Sequence, residues 1–148
     1  LWGNLMAGGG GVEWYFGYYS THNDLTSEDW RSRDRIWDLT RYALEFFQNY
    51  LPFWEMSPHD ALVSDSNAHV LAKVGEVYAI YLKKGHSTKL QIPAGNYKVE
   101  WYDPRQGGQL QQGSVTSIAG DGFKSIGNPP KDEDRDWAVL VRRDRKLI

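Results

Sequence analysis

The stretch from Thr26 to Tyr50, TSEDWRSRDRIWDLTRYALEFFQNY, is the longest periodic segment of the chain, and it restricts the folds available to everything around it. Its spacing predicts one helix. Thr26 stands where it can cap the backbone N–H of Asp29, and Leu25 stands where a hydrophobic staple to Trp30 would form. Glu28 and Asp29 put negative charge on the positive end of the helix dipole. Ile36, Trp37, Thr40, Ala43, Leu44, Phe47, Tyr50 and Leu51 recur at three-and-four spacing, and Leu39, Tyr42 and Phe46 widen that stripe beyond one face. Such a helix calls for apolar partners on two sides. Pro52 ends it, because the residue before a proline is pushed out of helical dihedrals. At ~1.5 Å per residue the helix would run roughly 36 Å. A simpler alternative also fits, a single long core helix in a small α+β domain.

At 148 residues the chain is the size of one ordinary domain, or of a small domain with an appendage. Its 17 Lys and Arg against 19 Asp and Glu leave a net charge of −2, which argues against nucleic acid or an anionic membrane surface as a partner. No run is apolar for long enough to suggest a membrane span, and none has the build of a signal peptide. The opening Leu1-Trp2-Gly3 has no initiator Met, which leads us to expect native sequence upstream. With no cysteine there is neither a disulfide nor a thiolate metal site. Aromatic residues reach 14%, with 7 Trp and 9 Tyr. Rings in such numbers suit sugar stacking and protein interfaces as well as cores.

Leu1 to Tyr19 enters four consecutive glycines, Gly8 to Gly11, and leaves through Val12-Glu13-Trp14-Tyr15-Phe16. Glycines in a row allow close backbone approach, so the expectation is a strand end that opens a binding loop. A dinucleotide fingerprint would need glycine where Glu13 stands, and no Lys-Ser or Lys-Thr follows to make a triphosphate loop. What survives is a carboxylate set between rings. Glu13, Trp14 and Tyr15 are candidate substrate-binding residues, since a ring can stack on a sugar's apolar face while a carboxylate accepts its hydroxyls. Equally, Glu13 could be a solvated rim residue and Trp14 part of a core. His22 has no second histidine at ligand spacing.

Leu51 to Val63 divides two styles of sequence, and its apolar residues predict a tether pinned on both sides. From Ala68 onward, short apolar runs alternate with turn signals. Ala68–Lys73, Glu76–Leu82, Lys89–Ile92, Asn96–Tyr102 and Trp137–Arg142 read as strands, with Leu110–Ile118 a weaker edge and Pro93-Ala94-Gly95 a stop. Val77, Ala79 and Tyr81 alternate with Tyr78, Ile80 and Leu82, so that strand is covered on both faces. The spacing indicates an antiparallel β-sandwich. Asp132, Asp134 and Asp136 fall at alternate positions, but the glycine and the glutamate of a helix–loop–helix calcium site are missing. No metal or cofactor is expected. No nucleophile motif is present.

LMAGGGGVEWYFGY, EDWRSRDRIWDLTRYALEFF and LPFWEMSPHDALV together resemble the end of the barrel in bacterial proteins similar to apiosidase-like glycoside hydrolases. AKVGEVYAIYL, AGNYKVEWYDPRQGG and DRDWAVLVRR resemble their small C-terminal domain, catalogued as collagen-binding. The resemblance implies an α+β chain in two parts. Residues 1–57 would be the last strand, loop and helix of a (β/α)8 barrel, and 58–148 an appended sandwich. It also implies an upstream barrel as partner, a carbohydrate substrate, and a secreted or periplasmic location. Glycoside hydrolysis needs two carboxylates facing across the scissile bond, and in barrel enzymes these come from different strands. One strand cannot supply both, so the chain is expected to be inactive alone, with Glu13 lining a pocket and the β domain bracing the barrel. The alternative is a stand-alone module that binds glycan or collagen. Without the barrel, the bare side of the helix around Trp37 and Leu44 would favour self-association.

Overall fold

The computed structural model describes residues 1–15, 17 and 30–144. The proposed cap at Thr26, the staple from Leu25, the first-turn acids Glu28 and Asp29, and His22 lie outside the described residues. The elements are α1 (Trp2–Met6), a 3-10 turn at Trp30–Arg33, α2 (Asp34–Tyr50), β1 (Ser57–Pro58), β2 (Ala68–Lys73), β3 (Val77–Leu82), β4 (Lys89–Tyr102), β5 (Ser117–Ser125) and β6 (Trp137–Arg143). The long helix is present, entered through the tighter 3-10 turn. Leu51 leaves it in extended conformation (φ −119°, ψ 133°), as the following proline requires.

The expected N-terminal strand is absent among the described residues. Trp2–Met6 is helical instead, with the Leu5 amide bonded to the Leu1 carbonyl at 3.0 Å and that of Ala7 to Gly3 at 3.1 Å. Trp2, Leu5 and Met6 share one helical face, and all three are buried. Gly8 then stops the helix at φ +82°, a left-handed exit that glycine takes without strain. In this segment burial of Trp2, Leu5 and Met6 against the sheet, not the glycine run, decided the local structure.

The strands form one six-stranded antiparallel sheet in the order β1-β2-β3-β6-β4-β5. This corrects the expected pair of stacked sheets. Pro93-Ala94-Gly95 does not stop the strand: β4 runs through it with a register shift between Ile92 and Gly95. A bulge tolerates proline's missing donor and bends the strand. The bend lets one face of the sheet close on itself, and an isolated bridge pairs Val63 with Leu90. The edge strand also lies later than its sequence suggested. Ser117–Ser125, which carries two glycines, pairs with β4, its Gly120 opposite Gly95. Residues 110–116 form no strand and meet β4 through a bridge from Gln111 to Trp101 and a 2.9 Å bond from the Val99 amide to the Thr116 carbonyl.

Two cores result. On one face Val70, Tyr78, Ile80, Leu90, Tyr97, Trp101, Trp137 and Val139 pack together. On the other, Leu71, Ala79, Tyr102 and Leu140 meet α1 and the Ala43, Phe46 and Phe47 face of α2. The expectation that β3 is covered on both sides is met, with Tyr78 and Ala79 both fully buried. The tether is pinned to the sheet, through the β1–β2 ladder and a 2.7 Å ion pair from Lys73 to Glu55, while Phe53 and Trp54 stay exposed.

Candidate functional site

A cavity of about 310 Å³ opens where the N-terminal segment, α2 and the sheet converge. That is the lower end of the size range for small-molecule sites. Its apolar wall is Trp2, Trp14, Ile36 and Leu39, and its polar groups come from Arg35, Tyr81, Arg105 and Asp136. Trp2 arrives on the buried face of α1 and stacks on Tyr81 of β3, with ring centroids 5.2 Å apart and planes 5° from parallel. Trp14 is fixed by α2: its Nε1 donates to Thr40 Oγ1 at 3.1 Å, while Thr40 donates to the Ile36 carbonyl at 2.8 Å.

The polar side is tightly held. Tyr81 donates its hydroxyl to Asp136 Oδ2, and the Lys84 amide donates to Asp136 Oδ1 at 2.7 Å. Burial, helped by the neighbouring Asp136 carboxylate, raises the Tyr81 hydroxyl above the usual phenol range, so it stays a donor. Arg105 forks onto Asp103, with Nε to Oδ1 and Nη2 to Oδ2 both at 2.9 Å, and its Nη1 reaches Asp132 Oδ2 at 3.2 Å. Asp103 is fully buried, and the guanidinium also lies 5.3 Å over the Trp137 ring. These pairs fix the turn after β4 under the cavity.

Of the three candidate residues, Trp14 lines this cavity; Tyr15 is 64% exposed, and Glu13 is exposed and outside the lining. Trp2, Arg35, Tyr81, Arg105 and Asp136 were not singled out from sequence as site residues. They come from five separate stretches, and no spacing connects them before folding. The arrangement can hold a flat, partly apolar molecule against rings with polar groups at one side. Among the described residues lining it, Asp136 is the one carboxylate and both its oxygens are engaged, so those residues supply no acid-and-nucleophile pair for glycoside hydrolysis. Among the described residues no three His, Asp or Glu side chains gather to hold a metal ion. None of their helices is long and apolar enough to cross a membrane.

A second cavity, about 290 Å³, lies under the glycine run between Leu5, Gly8, Leu44, Phe47, Phe53 and Met56. It is largely apolar and continues into exposed Phe53 and Trp54.

Residues 58–142, the β1–β6 sheet, match the family described as "Putative collagen-binding domain of a collagenase". The chain belongs to this family. No curated protein matches it. Among solved structures, a chain described as a glycoside hydrolase aligns over 89% of this chain and 31% of its own length, at a TM-score of 0.64 and 14% identity. A glycoside hydrolase family 5 protein from Bacteroides vulgatus aligns over 88% of this chain and 30% of its own, at a TM-score of 0.62 and 15% identity. At such identities the likeness is one of fold. The chain spans about a third of the length of these solved chains.

Proposed function

We propose that this chain is the C-terminal portion of a secreted or periplasmic glycoside-hydrolase-like protein. Residues 58–148 form an accessory β domain that braces a catalytic barrel, and residues 1–57 supply the barrel's closing segment. The observation that carries this reading is the extent of the structural likeness. It takes in almost all of this chain and less than a third of each hydrolase, which leaves room for a catalytic domain. The family match beginning at residue 58 supports the boundary. The apolar side of α2 left open at Leu44, next to exposed Phe53 and Trp54, supports an upstream barrel as the missing neighbour.

In this reading the chain is inactive alone, and Glu13, Trp14 and Tyr15 line a sugar subsite of the intact protein. Glycan hydrolysis by a longer version carrying the upstream sequence, with none by residues 1–148, is the expected result. No cleavage of any glycan by that longer version would refute it. Glu13→Gln in the longer version should slow turnover on whichever glycan it cleaves; unchanged turnover would remove Glu13 from the subsite. The family description favours a second reading, a module that binds collagen or glycan by itself. Saturable binding of the isolated chain to collagen or to a neutral glycan in a titration would support it.

A further inference from the structure

The β3–β4 connection, Lys83-Lys84-Gly85-His86, has an unusual backbone. Lys84, Gly85 and His86 lie in succession in the left-handed region, at φ 62°, 73° and 73°. Side-chain-bearing residues seldom adopt it, and two of the three non-glycine examples among the described residues are here. The conformation is imposed from outside. The Lys84 amide bonds Asp136 Oδ1 at 2.7 Å and the His86 amide bonds the Glu133 carbonyl at 2.9 Å. A Cβ on Gly85 would strike the Glu133 and Arg135 carbonyls, so the turn sits hard against residues 132–136.

This clamp throws Lys83, Lys84 and His86 outward, where with Asn67 they line an open cavity of about 240 Å³. Neither ammonium group nor the imidazole forms an ion pair among the described residues. Of the acids near the turn, Asp136 accepts from Tyr81 and the Lys84 amide, and Asp65 Oδ1 accepts from the Asn67 amide at 2.9 Å. In a chain of net charge −2, two lysines whose ammonium groups form no ion pair among the described residues stand together over one small pocket. Backbone held in a rare conformation occurs often at binding sites, and a small space lined by Lys83, Lys84, His86 and Asn67 suits an oxyanion.

We infer that this turn binds the oxyanion of an acidic glycan, either a uronate carboxylate or a sulfate ester. The pocket takes one charged group. A nucleic acid would need a basic track along several phosphates, which the charge balance does not provide. Glycan as the carrier rests on the functional reading above; the anion pocket itself does not.

The test titrates the whole chain with sodium sulfate, oligogalacturonate, a heparin oligosaccharide and a neutral xylo-oligosaccharide, following amide shifts by NMR and heat by calorimetry. Shifts centred on residues 83–86 and 67 are expected with sulfate and with at least one acidic oligosaccharide, but not with the neutral one. Binding should weaken as salt rises. Lys83→Gln combined with Lys84→Asn, asparagine being tolerant of the left-handed region, should weaken it roughly tenfold with an unchanged melting temperature. Sulfate shifts at the turn without any acidic oligosaccharide bound would overturn the glycan assignment. Acidic binding untouched by the double variant, or no shift with any anion, would overturn the site. A longer version that cleaves glycan while this turn binds nothing would sink this inference alone.

Discussion

Asp103 and Arg105 show how much a single pairing can fix. The carboxylate is wholly buried, and its two oxygens meet the fork of a guanidinium that is itself largely covered. Removing one partner of such a pair leaves the other charge desolvated. Asp103→Ala should therefore lower stability by about 3 kcal/mol in urea unfolding; a loss no larger than that of an exposed ion pair would show the pair to be marginal. Glu100 carries a pH signature. Burial pushes its carboxyl up, but hydrogen bonds from Lys98 and Arg142, both 2.7 Å, outweigh this and hold it below the usual carboxylate range. The folded form then titrates below the unfolded one. Its stabilisation is complete at neutral pH and fades as pH falls through the depressed folded value, from about pH 5 downward. Glu100→Gln should flatten that acid limb in unfolding measured against pH, and an unaltered limb would assign it to other groups.

At the scale of elements, the join between α2 and the sheet is aromatic. Phe46 is fully buried, with ring centroids 5.0 Å from Tyr102 and 5.5 Å from Trp2, and the Tyr102 hydroxyl donates to the Tyr42 carbonyl at 2.8 Å. Phe46→Ala should cost about 3 kcal/mol, the usual range for emptying a buried aromatic site. The β4–β5 connection seats on the same helix. Gly107, at φ +66°, lies where a Cβ would enter the Tyr42 ring. Gly107→Ala combines strain with collision and should destabilise by about 2 kcal/mol; a neutral result in thermal unfolding would mean that the connection lifts freely off α2.

For the whole molecule, one side of α2 is satisfied and the other is not. Ala43, Phe46 and Phe47 face the sheet, while Leu44 remains 44% exposed beside an apolar cavity and a 72% exposed Trp54. Contiguous apolar surface of this kind tends to be covered. In the isolated chain a second copy is the available cover, so sedimentation should show reversible dimers, and Phe53→Ser with Trp54→Glu should restore monomers without lowering the melting temperature. A monodisperse monomer of the unsubstituted chain at high concentration would exclude this.

The long helix, the strand pattern of β2, β3 and β6, and the stop at Pro52 were legible in sequence because they follow from local periodicity and fixed backbone chemistry. So was the double cover of β3, since alternating residues were apolar on both faces. The N-terminal helix in place of a strand, the continuity of β4 through Pro93, and the edge strand at Ser117–Ser125 were not. In each, a long-range contact outweighed local preference: burial of Trp2 and Met6 against the sheet, and the pairing of Gly95 with Gly120 across a bulge. The cavity was decided by tertiary structure alone, because Trp2, Trp14, Tyr81, Arg105 and Asp136 become neighbours only once helix and sheet have packed.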